Sequence, residues 1–306
     1  MGSAELDSEP DLPDRPEQTE TRHSRVLRMA AREIDPDERG QAFDAARAYA
    51  SADAVEQRDY RAEVPRFERM WAEHEERWPV RDHASPATGR TVDPEGSFRS
   101  DGGFYLGPEQ NMAATDAIDH VRKAEPAVSA DLRAVERQNT SGARLEGFDC
   151  RLKGDDRLKE KTAEQLDAEP SKTADDALGK LPDAIRYTFC LEPENYSGGY
   201  YDIKGRLESL GYEMYQSKNS WNHPEYKGVN TRWVTQDGLR FEVQFHTPES
   251  FDAKQNVTHG SYERLRNPLI SDVERKELRA FQREVSTTIA IPDHAADILD
   301  FKKDGL

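Results

Sequence analysis

Three side chains able to act on a proton or a phosphate, Glu242, Gln244 and His246, alternate along the chain with Phe241, Val243 and Phe245. A period of two puts the apolar set on one face of a strand and the polar set on the other. One face then builds core while the other presents an acid, an amide and an imidazole. Taken alone, the pattern is also that of an ordinary amphipathic strand with a solvated outer face. What separates the two readings lies upstream.

Arg151, Lys153, Lys159 and Lys161 surround a Gly154-Asp155-Asp156 turn that leads from a strand into a helix. On an extended segment Arg151 and Lys153 share a face, and the two later lysines fall in the first helical turns. Four cations at a helix N-terminus suit a triphosphate, whose charge the helix amides also favour. The competing reading is a solvated basic face. No Walker-type glycine loop is present, which excludes an ordinary P-loop ATPase. Farther on, Asp183 opens a strand that carries Arg186 and Thr188 on one face. Asp183 reads as a turn residue or, with Glu242, as a ligand for magnesium, which takes one or two carboxylates plus substrate phosphates.

In order, the chain presents a basic R-x-K loop at Arg151 and Lys153 followed by Lys161, then an Asp and Arg strand at Asp183 and Arg186. Next come Tyr226-Lys227-Gly228-Val229-Asn230 and an E-x-Q strand at Glu242 and Gln244 that ends in Thr247. Over about Leu145 to Arg266 this series resembles the RelA/SpoT family of alarmone synthetases. The forms Arg186-Tyr187-Thr188 and Gln244-Phe245-His246-Thr247 are most similar to its small actinobacterial nucleotide 3'-pyrophosphokinases and related toxins. The resemblance implies a nucleotidyltransferase-like synthetase fold and transfer of the β,γ-pyrophosphate of ATP to the ribose 3'-hydroxyl of a purine nucleotide. It implies ATP against Arg151, Lys153, Lys159, Lys161 and Arg186. The acceptor base would stack on Tyr226, with Lys227, Asn230, His246, His259 and Tyr262 around it. Glu242 would align or deprotonate the 3'-hydroxyl with Gln244 in support, and magnesium would be held by Asp183 and Glu242. The chain departs from the family where Leu181 replaces the usual metal-binding Asp, Arg157 a serine, and Glu160 a basic residue. His246 and Asn230 stand where the longer synthetases have Arg and His, so guanine specificity is not implied.

The elements that would position these residues follow from periodicity and turn chemistry. Strands are expected over Leu145 to Lys153, Ala184 to Leu191, Tyr212 to Gln216, Val229 to Thr235 and Leu239 to Phe245, the last two joined across Asp237-Gly238. Helices are expected over Arg157 to Leu166, from Tyr200 to Leu210 after Gly198-Gly199, and from Val273 to Thr288. Thr247 is expected to cap a further helix with Pro248 at its first position. Pro126 should split Glu109 to Asn139 into two helices. His259, Tyr262 and Arg266, spaced three and four apart, are expected to close the nucleotide pocket together with Lys254. These elements predict an α+β fold with a mixed five-stranded sheet and flanking helices, preceded by an N-terminal helical region.

Three segments are expected: an acidic disordered tail over 1–22, a helical region and linker over 23–107, and the synthetase-like domain with flanking helices over 108–306. Within the second, Pro36 and Pro65 should punctuate two or three helices, and Trp71 and Trp78 read as core at helical spacing. The 306 residues carry a net charge of −17, with 35% hydrophobic and 34% charged residues. Such acidity disfavours a protein that tracks nucleic-acid backbones, though not a local basic pocket. Two cysteines, Cys150 and Cys190, are too few for a disulfide framework and read as inert core thiols. No apolar run is long enough to span a bilayer and no N-terminal signal is evident, so the expected partners include no membrane and the expected site of action is the cytoplasm. Delivery as an effector, or as the tail of a larger secreted protein, is compatible with this.

The sequence thus points to a magnesium-dependent pyrophosphokinase acting on ATP and a purine nucleotide. No adjacent His-Asp metal pair of a hydrolase module occurs in the first 140 residues, which suits a toxin or stress effector. The N-terminal helices are left for a protein partner such as an antitoxin, immunity or delivery factor. Two rivals remain: the 3' end of tRNA as acceptor, and a non-catalytic nucleotide sensor or interaction module.

Overall fold

The computed structural model describes residues 58–79, 93–100, 102–179, 181–267 and 269–303. The expected acidic tail and the first expected helices lie outside them. The described residues belong to one compact unit, Arg58–Leu306.

Strong alternation makes the centre of the sheet. In β4 (Arg186–Cys190) and β7 (Arg240–His246), Tyr187 and Phe189 pair with Val243 and Phe245, so one face is a continuous apolar layer. β6 (Val229–Val234) continues it with Val229, Thr231 and Trp233, all fully buried. Phe241, Val243 and Phe245 are likewise 0% exposed. At about 1.5 to 3 kcal/mol for each large side chain removed from water, this layer is a main source of fold stability.

With β3 (Arg144–Glu146), β5 (Glu213–Asn219) and β8 (Phe301–Lys302), the sheet has six strands in the order β3-β4-β7-β6-β5-β8. β4 and β7 are parallel and the other neighbours antiparallel. The fold is therefore α+β with a mixed sheet. Strands stand at the five expected places, the first only over Arg144–Glu146 of the expected Leu145 to Lys153, and the two-residue β8 adds an edge too short to show a period. The β6–β7 hairpin turns through Asp237-Gly238, where Gly238 has φ +91°. A separate pair, β1 (Phe98–Arg99) and β2 (Tyr105–Leu106), lies within the stretch expected to be linker.

Several helices differ from expectation. α1 (Tyr60–Arg77), capped by Asp59, keeps Pro65 inside it, and α2 (Pro108–Gln138) runs unbroken through Pro126. Ile118, Val121, Val128, Leu132 and Val135 of α2 are buried against the apolar layer, and packing on both sides of Pro126 outweighs the one lost backbone bond. α3 (Asp155–Ala168) and α4 (Ala174–Gly179) follow, then α5 (Tyr196–Ser209). α5 starts before Gly198-Gly199 rather than after them. A side chain at Gly199 would strike Leu191 Cδ2 at 2.0 Å, so close packing against the sheet explains the glycine.

Beyond β7 come α6 (Pro248–Asp252), a π-helical turn at Ala253–Val257, α7 (His259–Leu265) and α8 (Asp272–Thr287). Thr247 caps α6 as expected, accepting from the Ser250 amide at 3.2 Å. Helix α1 joins the same core: Phe67 is 0% exposed and meets Phe281 of α8 edge-on, while Tyr60 donates to Asp252. The expected boundary at residue 107/108 therefore does not separate α1 from the rest. Of the two cysteines, Cys190 is buried and its thiol is pushed up to about 12 by burial, whereas Cys150 is exposed. No described helix is long and apolar enough to cross a membrane.

Candidate active site

The face of the sheet opposite the apolar layer is polar and follows directly from the strand register. Arg186, Glu242 and Arg232 lie side by side across β4, β7 and β6, and the next row is Thr188, Gln244 and Asn230. Glu242 is 8% exposed and Gln244 4%. A carboxylate this deep costs several kcal/mol unless charges or donors answer it. Gln244 Nε2 donates to Glu242 Oε2 at 3.2 Å. Burial raises the Glu242 pKa above the usual carboxylate range, with the cations Arg186, Lys254 and Lys153 opposing.

The loop after a 3₁₀ turn at Phe148–Cys150 brings in Lys153, and α3 brings in Lys161. Both ammonium groups are 2.9 Å from Asp183, which precedes β4. Burial alone would raise Asp183, but the two lysines outweigh it and hold the carboxyl at about 2. Lys153 is itself lowered by burial, with Asp183 opposing. No hydrogen bond or ion pair within 4.0 Å holds the Arg186 guanidinium among the described residues, although its charge bears on Glu242 and Lys254. Lys153, Lys161, Arg186 and Lys254 thus gather round Asp183 and Glu242, a cationic excess within an acidic chain. Of these cations Lys254 is engaged with Gln244, and Lys153, Lys161 and Arg186 suit a polyanion.

Across the same face, Tyr226 is half-buried with its hydroxyl end inside. Its hydroxyl donates to Asn230 Oδ1 at 2.9 Å and so accepts from His246 Nε2 at 2.9 Å. His246 Nδ1 lies 2.9 Å from the Ser250 hydroxyl, which also reaches the Thr247 carbonyl at 3.2 Å. Burial pushes the His246 pKa well below its ordinary value. Gly228, at φ +147°, lets the chain pass over this ring, since a Cβ there would lie 2.9 Å from His246 Cε1. The glycine of Tyr-Lys-Gly-Val-Asn therefore sets how Tyr226 meets His246.

Glu242, Gln244, Lys153, Lys161, Asp183, Arg186, Tyr226 and Asn230 are brought to this one face. Other expected site residues are used differently. Arg151 sits in helical backbone at φ −65°, ψ −28°, which breaks the alternation expected of a strand. Its Nε donates to Glu125 Oε1 of α2 at 2.6 Å, beside Ser129, and Tyr187 donates to the same carboxylate. Lys159 turns to Phe98, its ammonium 5.9 Å from the ring centroid. Lys227 donates to the carbonyls of Trp221 and His223 at 2.9 and 3.0 Å, closing its own loop. His246, 0% exposed, positions Tyr226 and faces no open space. On α7, His259 is exposed, and Tyr262, 56% exposed, lies near enough to Tyr226 to affect its ionisation.

Two of the family departures answer each other. Arg157 pairs with Glu160 at 2.9 Å and with Glu263 of α7 at 3.2 Å, tying α3 to the far wall. Glu125 carried no signal in the sequence, because a buried acid in a helix reads as one more polar position. Lys254 was expected only as a companion of α7; its ammonium in fact donates to Gln244 Oε1.

The described residues contain no group of three or more His, Cys, Asp or Glu side chains suited to a metal. The charge of Asp183 nevertheless bears on Glu242. Two neighbouring carboxylates fit magnesium if phosphate oxygens complete the shell, provided Asp183 exchanges its lysines for the ion.

No family model matches the chain, and no curated protein matches it. Several solved structures are similar to it in part, three of them as follows. One is the Type VI effector Tas1 in complex with its immunity protein (16% identity, TM-score 0.38, covering 57% of this chain and 96% of that one). Another is smu.1046c from Streptococcus mutans UA159 (14% identity, TM-score 0.37, covering 56% and 89%). The third is small alarmone synthetase 1 from Bacillus subtilis bound to its product pppGpp (11% identity, TM-score 0.36, covering 54% and 87%). At these values the likeness carries no functional argument, which rests on the residues.

Proposed function

We propose that the chain is a nucleotide 3'-pyrophosphokinase that takes the β,γ-pyrophosphate of ATP onto the ribose 3'-hydroxyl of a purine nucleotide, as a toxin or stress effector. The observation that carries this reading is the buried Glu242, raised by burial and held by Gln244, beside the unpartnered guanidinium of Arg186. A base at this position takes the hydroxyl proton, the 3'-oxygen bonds to the β-phosphorus, and the bond from that phosphorus to the α,β-bridging oxygen breaks. AMP leaves with that oxygen. Lys153, Lys161 and Arg186 bind the phosphates, and Tyr226, with Tyr262 near it, offers ring surface to a base. Held by Asp183 and Glu242, magnesium would supply charge neutralisation at the phosphate oxygens. Arg151 joins the ATP site only if it leaves Glu125.

The test is chromatography of products from ATP with AMP, ADP, GDP, GTP or tRNA, beside E242Q. The expected result is AMP release and a pyrophosphorylated purine nucleotide, both lost in E242Q. Labelling of tRNA alone would move the acceptor to tRNA. ATP binding without AMP release would make the chain a sensor.

A further inference from the structure

Gln244 has two ends that an amide can exchange, and only one orientation serves Glu242. Lys254 decides which. An ammonium group donates and never accepts, so Lys254 Nζ requires Oε1 of Gln244 to face it. Nε2 must then face Glu242, to which it donates at 3.2 Å. Without Lys254 the carboxylate alone selects the orientation of the amide, and nothing holds its oxygen end in place.

The backbone around Lys254 is built for this placement. Thr258 N–H donates to Ala253 carbonyl at 2.7 Å, a bond spanning five residues, and the π turn re-aims the side chains that follow α6. Single π turns of this kind recur at functional sites. The turn is fixed from outside: Ala253 is buried, Tyr60 of α1 donates to neighbouring Asp252, and Trp71 of α1 packs against Gly260. The turn that carries Lys254 is thus backed by α1.

We propose that Lys254 is a positioning residue that fixes the Gln244 amide and thereby aims Glu242 at its proton. The inference rests on the pyrophosphokinase reading only for what that proton is. The groups facing Lys254 are Arg186 and Cys190 from β4, Glu242, Gln244 and His246 from β7, Lys153 from the loop before α3, and the Phe251 ring from α6. Glu242 is faced by these cations together with Asp183, and its charge bears on Tyr226.

The test uses the full chain and has a readout independent of turnover. Side-chain amide NMR of Gln244, assigned by its loss in Q244A, follows the Nε2–H pair in wild type, K254M and K254R without substrate. K254M is expected to shift and broaden that pair as the amide loses its fixed orientation, and K254R to leave it in place. In turnover, K254M should lower kcat about 10- to 100-fold with ATP affinity unchanged. Q244A combined with K254M should be no worse than the poorer single variant, because both break one chain of contacts. An unmoved Gln244 amide signal in K254M, additive losses in the double variant, or ATP affinity falling in step with kcat would each overturn the proposal; the last would make Lys254 a phosphate ligand. If the NMR shift appears but wild type releases no AMP with any acceptor, the positioning role stands and the pyrophosphokinase reading falls.

Discussion

Glu242 is where burial and charge act most strongly against each other. Its usefulness as a base depends on being deprotonated, and burial raises its pKa. The rate should therefore rise with pH through a value above the ordinary carboxylate range. Lys254, lowered to about 8 by burial and by Arg186, should place a falling limb near that pH, since its ammonium is what orients Gln244. Steady-state rates against pH in wild type and K254R check this: the arginine should remove the alkaline limb and keep the acid one. E242Q should cost roughly 10²- to 10⁴-fold in kcat with ATP affinity retained. Asp183 makes a separate prediction about stability. Its folded value of about 2 lies below that of an unfolded aspartate, so its pairs with Lys153 and Lys161 stabilise the fold at neutral pH. That contribution is lost as pH falls toward 2. Urea unfolding between pH 5 and about 2 should show D183N losing less stability than wild type. Residues on regular strands were legible because alternation holds wherever the backbone is extended. Arg151 was not, because its helical backbone cancels the rule, and Lys159 was not, because two helical residues lie about 200° from Lys161 around the axis.

Among the elements, strands could be read closely and helix interruptions could not. Proline and glycine mark local preference, and tertiary packing overrode it at Pro65, Pro126 and Gly199. The exposed Pro126 leaves α2 short of one backbone bond, so P126A should stabilise the protein by about 1 to 3 kcal/mol in thermal or urea unfolding. The opposite holds at Gly228. There G228A meets both an unfavourable φ and the His246 ring, and should cost about 1 to 3 kcal/mol while loosening Tyr226. The π turn has no periodic signature in the sequence, because one extra residue shifts the helical register. This is why Lys254 could be grouped with α7 but not given its contact with Gln244.

On the scale of the whole molecule, a net charge of −17 coexists with a face that gathers four cations round two acids. Total charge describes solubility and long-range attraction; the sheet register decides what meets a ligand. Helix α1 belongs to that arrangement, since it backs the turn that carries Lys254. F67A, which removes a fully buried ring from α1, should cost about 3 to 5 kcal/mol although Phe67 is not among the residues proposed to bind phosphate. Trp71 read as core from its helical spacing, and only the fold reveals that α8 and α7 receive it. The central claim is tested most directly by incubating the full chain with ATP labelled in the γ-phosphate and each purine nucleotide, and separating the products. Transfer of label to the acceptor with one AMP released per transfer, abolished in E242Q, is the predicted result. Bound ATP with no AMP from any acceptor, or an E242Q variant as active as wild type, would contradict it.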